Sequence, residues 1–208
     1  MVKEVQTGEE IFEDDERFIK LSRMLTIPYN AAKVAKLLDS YYPPPPDPSS
    51  DLRGFDVPIA FDDCVDTLLS SLSNQSTGIR TRAAASLGKC LERLPAAFAG
   101  EVLDAIQALL SPAEDEATWH GALMALAECT RRGLVPLNRL PYIVGAAIDG
   151  LSYVIRKGQK DVGTQVRDAS AYVAWSLARV YAGAPLKPFA LRLASELMVC
   201  ALFDRELG

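Results

Sequence analysis

Histidine is all but missing: His120 is the single one among 208 residues. One imidazole cannot build a multi-histidine metal centre, and any Ser-His-Asp or Cys-His relay would have to run through this side chain alone. No GxSxG elbow and no GxxxxGK[ST] loop accompanies it. The chain therefore has neither the usual nucleophile motif nor a phosphate cradle of its own. Cysteine is also sparse. Cys64, Cys90, Cys129 and Cys200 form no CxxC pair, and each falls within a helical apolar pattern. They read as buried free thiols in a reducing compartment, the cytosol, and not as a disulfide framework or a zinc site. Long apolar runs are absent too. The best candidate, Leu140 to Leu151, contains Asp149 and falls short of the roughly 18 residues that argue for a membrane span. The first ten residues are polar and acidic, which predicts no secretory signal and no basic transit peptide.

A basic excess is missing as well. The net charge is −5, and residues 1–16 hold seven acids against one Lys, which leaves the remainder about +1. A near-neutral body has no electrostatic footprint for nucleic acid. The acidic head reads as a solvated tail, with a docking segment for a basic partner as the sharper alternative. Residues 1–42 are expected to combine this head with short helices, broken at Pro28. The Pro43–Pro46 run and Pro48 donate no backbone hydrogen bonds and favour polyproline II geometry. Residues 43–57 are thus expected to be a linker, a proline docking motif being the alternative.

Apolar residues, by contrast, are plentiful, at 49%, and from residue 58 onward they are regular. Phe61, Val65, Leu68, Leu69 and Leu72 mark one face of a helix, and Ile79, Ala83, Leu87, Cys90, Leu91 and Leu94 mark its partner. Further pairs follow around Phe98–Leu110 with Trp119–Ala127, and around Leu140–Leu151 with Val166–Val180. The second helix of each pair opens alike: Ile79-Arg80, Trp119-His120 and Val166-Arg167 each lead an Ala-rich run. The anchors Arg80, His120 and Arg167 lie 40 and 47 residues apart. This period, in an all-helical pattern, is that of HEAT or armadillo repeats. An all-α helical-repeat solenoid, an α-α superhelix of about three and a half repeats over 58–208, is expected, without sheet. Small residues (Ala83–Ala85, Ala122, Ala125, Ala169, Ala174) would let the second helices approach closely. A fourth pair has its first helix, Leu191 to Phe203, while the next anchor falls near 210, past Gly208. That helix is expected to present apolar side chains without cover, so that the chain self-associates or is marginally stable.

Several runs in this order go beyond periodicity: Ile79-Arg80 before an Ala-rich helix ending Leu94-Pro95, Trp119-His120-Gly121 before Leu126-Ala127-Glu128 and Arg131-Arg132-Gly133-Leu134, and Val162-Gly163-Thr164-Gln165-Val166-Arg167-Asp168-Ala169 before Tyr172-Val173 and Trp175. Leu186-Lys187-Pro188-Phe189 and Phe203-Asp204-Arg205 close the set. From about Thr77 to Arg205 the chain resembles the tubulin-folding cofactor D (tubulin-specific chaperone D) family; the resemblance leaves out the first 60 residues, and the chain is far shorter than full-length members. It implies a cytosolic, microtubule-related HEAT-repeat chaperone that takes over β-tubulin after chaperonin release. Such a protein works with other tubulin-folding cofactors, E and C, and an Arf-like small GTPase to assemble and dissociate αβ-tubulin. With cofactor C it acts as a GTPase activator on tubulin.

No residue is expected to be catalytic, to bind metal or to hold a cofactor. The candidate partner contacts are Trp119, His120, Arg131, Arg132, Lys157, Arg167 and Asp168, with the charged turn Arg156 to Asp161 read as exposed. Each has a plainer reading. His120 suits a structural role, Arg167-Asp168 a ladder between neighbouring helices, and Arg131-Arg132 a cationic helix end that offsets the dipole. Trp175 is expected in the core. A HEAT-repeat adaptor for another partner, such as a transport or phosphatase scaffold, shares the fold. A small helical enzyme would need a polar cleft for which the sequence offers no nucleophile.

Overall fold

The computed structural model describes residues 59–157 and 160–204. The acidic head, the short helices expected on either side of Pro28 and the tetraproline linker lie outside the described residues. Among the described residues, seven α-helices follow one another: α1 (Ile59–Ser71), α2 (Thr77–Leu91), α3 (Ala96–Ala108), α4 (Glu116–Arg131), α5 (Leu140–Leu151), α6 (Thr164–Val180) and α7 (Lys187–Phe203). A 3-10 turn at Leu137–Arg139 leads into α5. The chain is an all-α repeat stack, as the spacing predicts. α1 packs on α2, α3 on α4 and α5 on α6, while α7 lies against α5 and α6. The most extensive contacts run between second helices, α2 with α4 and α4 with α6.

Local chemistry sets the ends of these helices. Asp115 caps α4 by accepting a hydrogen bond of 2.8 Å from the Thr118 amide, which satisfies one of the orphan N–H groups of the first turn. At the other end Gly133 takes φ +73°. Its amide donates to the Thr130 carbonyl and the Leu134 amide to that of Cys129, the paired bonds of a Schellman stop. In between, the small residues do what the sequence suggests: Ala84, Ala122, Ala125, Ala127, Ala169 and Ala174 are fully buried between second helices. Gly121 carries this furthest, for a Cβ there would stand 1.9 Å from the carbonyl oxygen of Leu72. The backbone of α4 thus rests directly on the chain leaving α1. The buried thiols Cys64, Cys90 and Cys129 are free, and burial pushes their pKa up to about 11, 12 and 12.

Three expectations are corrected. The charged turn 156–161 is a small antiparallel hairpin, β1 (Ile155–Lys157) with β2 (Lys160–Val162), so the chain is not free of sheet. Its register sets Arg156 opposite Asp161 and Ile155 opposite Val162, the latter a β-branched pair that suits a ladder. Ile79 is 42% exposed while Arg80 is 1% exposed; α2 is turned so that its guanidinium, and not the isoleucine beside it, points inward. Trp175 is 48% exposed and outside the core. It lies on the one stripe of α6 that α4, α5 and α7 leave open. Leu137 is also exposed, because the third pair starts with a 3-10 turn before its helix. On α7 only Leu193 is buried, while Leu191, Met198, Val199, Leu202 and Phe203 are exposed. A helix apolar on both faces is one that expects cover on both.

Candidate partner-binding site

The three anchors gather at the N-terminal edge of the second helices. Arg80 spreads its fork over five acceptors. Nη1 donates to the carbonyls of Asn74 (2.8 Å) and Gln75 (3.0 Å), Nη2 to Thr77 Oγ1 (3.0 Å) and Gln165 Oε1 (2.5 Å), and Nε to Nδ1 of His120 (3.0 Å). Arg167 repeats the pattern two repeats later. Nη1 donates to the carbonyl of Tyr153, Nη2 to Thr164 Oγ1, and Nε and Nη2 to the two carboxylate oxygens of Asp204 at 2.7 and 2.8 Å. Each arginine therefore ties its own helix start, the loop before it and the next repeat together. Trp119 lies between them. Its indole N–H donates to the Ser111 carbonyl at 2.9 Å, and its ring is tilted against Tyr153 at 5.3 Å.

His120 is neutral in this setting, because its Nδ1 accepts from a cation. Burial first, and the charge of Arg80 second, lower its pKa to about 4, against an ordinary value of about 6.5. Between those values the unfolded chain binds the proton and the folded chain does not. Stability is full above about pH 6.5 and declines as the pH falls, by about 2 kcal/mol at pH 5 from this group. His120→Asn keeps an acceptor for Arg80 and removes the titration. In urea denaturation at pH 7 and pH 5, the variant is expected to lose about 2 kcal/mol less than the parent on acidification. Equal losses would show that the folded histidine takes up its proton unhindered.

A second cluster sits at the far end of α4, about 18 Å from Trp119 at 1.5 Å per residue. Glu128 is buried, and receives Arg131 at 2.8 Å, Arg132 at 3.0 Å and the Tyr172 hydroxyl at 2.8 Å. Burial pushes its carboxyl up, but the bonds from Arg131 and Tyr172 and the two arginine charges outweigh this and hold it below the usual carboxylate range. Arg132 reaches on to Glu92 of α2 at 3.6 Å. The Tyr172 ring stacks on Trp175 at 5.7 Å, and the guanidinium of Arg179 covers that indole at 5.4 Å.

The sequence candidates do not form one surface. Trp119 and His120 are buried with their polar atoms engaged, and Arg167 is held by Asp204. Arg131 and Arg132 converge on Glu128, with Arg131 the more exposed. Asp168 is exposed on α6. Lys157 stands at the end of β1, opposite Lys160. What the candidate set lacks is the surface aromatic triple Tyr172, Trp175 and Arg179. Its signal was positional: Glu128 and Trp175 each come eight residues after an anchor, and Arg132 and Arg179 each come twelve after. Among the described residues, no group of three His, Cys, Asp or Glu side chains is placed to hold a metal ion. No helix among them is long and apolar enough to cross a membrane.

A family profile described as tubulin-specific chaperone D-like, ARM repeats, matches residues 31–208. The chain belongs to this family. The match starts well before Thr77, so family membership also takes in residues 31–60, which the motif runs alone leave out. The tubulin-specific chaperone D of Dictyostelium discoideum is 36% identical over 143 residues, covering 66% of this chain and 10% of that protein. The tubulin-folding cofactor D of Schizosaccharomyces pombe (strain 972 / ATCC 24843) is 32% identical over 184 residues, covering 82% of this chain and 16% of that protein. The chain thus spans only a small part of the length of these relatives. No solved structure matches it significantly.

Proposed function

We propose that the chain is a non-catalytic scaffold segment of a tubulin-folding cofactor: it binds β-tubulin and supports assembly and disassembly of the αβ heterodimer. Its action on GTP hydrolysis is indirect, exerted only in company with other tubulin-folding cofactors and an Arf-like small GTPase, in the cytoplasm and near microtubules. The observation that carries this reading is the family membership over residues 31–208. A tightly stacked row of second helices suits it, since helical repeats offer extended surfaces to large partners.

The candidates for tubulin contact are the exposed Arg131 and Lys157 at the end of β1. His120 is unsuited to a capture test, because its burial makes any substitution a test of folding. The 208-residue chain, immobilised, is expected to retain purified β-tubulin weakly, since a specific complex usually buries about 1,200–2,000 Å² in total and three repeats offer part of that. The double variant R131A/K157A is expected to retain roughly tenfold less with unchanged helix content. Equal retention removes these two positions. If β-tubulin is not retained even by a longer stretch of the repeat array, the chain is an adaptor for another protein.

A further inference from the structure

One stripe of α6 is open, and its chemistry reads the same in both directions. Asp168, Tyr172, Trp175 and Arg179 follow at intervals of four, three and four residues, so all four lie on one helical face. Asp168 and Arg179 are exposed at its two ends, and the half-exposed Trp175 stands in the middle beside the partly buried Tyr172. The midpoint between Asp168 and Arg179 is also the midpoint between Tyr172 and Trp175. An acid, an aromatic, an aromatic and a base are thus spaced symmetrically over about 16 Å of helix. A two-fold axis through that midpoint lays α6 antiparallel on its own copy. It sets Asp168 against Arg179 of the second copy, and Trp175 against Tyr172 of the second copy, each contact occurring twice. This is the self-complementarity that an isologous interface requires.

We propose that a second copy of this chain docks on the open stripe of α6 to form an antiparallel, two-fold symmetric dimer. Charge order decides for a second copy over an unrelated helix: one stripe supplies both halves of both ion pairs. The central anchor is already ordered, which lowers the cost of docking. Tyr172 is held by its hydrogen bond to Glu128, and the Trp175 ring is fixed between Tyr172 and Arg179. Trp, Tyr and Arg are the side chains that most often dominate association energies. Beside the stripe, an apolar groove between α6 and α7 is lined by Ala178, Ala182, Leu186 and Ala190. The exposed Leu191, Met198 and Leu202 continue from it along α7. The dyad that pairs α6 with itself brings this flank, with Lys187 at its edge, against its own copy as well, which adds apolar area.

The 208-residue chain is therefore expected to be a dimer, not a larger aggregate, by light scattering and sedimentation between about 1 and about 100 μM. Trp175→Ala weakens association about ten- to hundredfold. Asp168→Arg alone and Arg179→Asp alone each set like charges against each other twice, and each is expected to be monomeric over this range. Mixed one to one, the two variants regain both pairs in a mixed dimer, and so does the double variant D168R/R179D by itself. The three substituted positions, Asp168, Trp175 and Arg179, are exposed, and circular dichroism and melting check that the variants stay folded. A parent chain that is monomeric throughout overturns the proposal. So does a dimer that persists in both single charge variants, which would place association on α7 alone. Failure of the mixture and of the double variant to reassociate overturns it too.

Discussion

Replacing Arg80 with methionine is expected to lower the stability of the chain by about 3–5 kcal/mol. The guanidinium is 1% exposed and has no carboxylate within its hydrogen-bonding shell. Burial lowers its pKa, while the more distant charges of Asp115 and Glu116 act the other way. What solvates the cation is a set of neutral acceptors, namely two loop carbonyls, a threonine hydroxyl, the Gln165 amide oxygen and the His120 ring. Removing the fork leaves the buried His120 ring without its donor, and the four acceptors on exposed residues with water alone, at about 1–3 kcal/mol each where water cannot replace it. The desolvation returned by deleting a buried charge offsets part of that sum. Arg80→Lys keeps the charge but has a single tetrahedral head that cannot match a planar fork with five donors. It is expected to recover less than half of the loss. Chemical denaturation at pH 7 measures both; a methionine variant within about 0.5 kcal/mol of the parent, the range of surface substitutions, would mean that the acceptors are satisfied without it.

The second large effect reverses a general rule. Exchanging glycine for alanine inside a helix normally stabilises it by up to about 1 kcal/mol. At Gly121 the same exchange is expected to cost about 2–4 kcal/mol, because the new methyl would overlap the Leu72 carbonyl at 1.9 Å. A side-chain obstacle could rotate away; a backbone carbonyl moves only if α1 and α4 separate. At Gly145 a Cβ meets nothing within 4 Å, and Gly145→Ala on α5 serves as the control that follows the ordinary rule. A drop in melting temperature for the first and a rise or no change for the second is the expected pair of results. If both variants rise, the close approach of α4 to the end of α1 is relieved without cost.

The repeat period, the three helix pairs and the small residues between second helices were legible in the sequence, because 3.6-residue periodicity and alanine runs are local signals. The hairpin was signalled locally as well, by Val154, Ile155 and Val162 around two lysines, but its length of three residues per strand is below what alternation can mark. Exposure at a given register is not local. Ile79 and Arg80 are neighbours, and which of them turns inward depends on acceptors contributed by residues as far away as Gln165. Trp175 shows the same limit from the other side. A tryptophan in an apolar helix reads as core, and only the placement of α4, α5 and α7 around α6 reveals that its stripe stays open. Four of the seven candidate contacts, Trp119, His120, Arg167 and Asp168, were drawn from charged or aromatic helix starts, and the structure uses most of those starts to join repeats.

The reach of Arg80 to Gln165 has a consequence for how the molecule comes apart. In a stack of repeats each unit contacts only its neighbours, and unfolding can fray from either end one unit at a time. Here α2 is tied at its first turn to α4 through His120 and also to α6, where Gln165 accepts from both Thr77 and Arg80. The bond joins residues 85 positions apart and skips a whole repeat. Losing either terminal pair therefore breaks bonds in the other. The three pairs are linked in melting as a closed ring is linked, and not as a row of tiles.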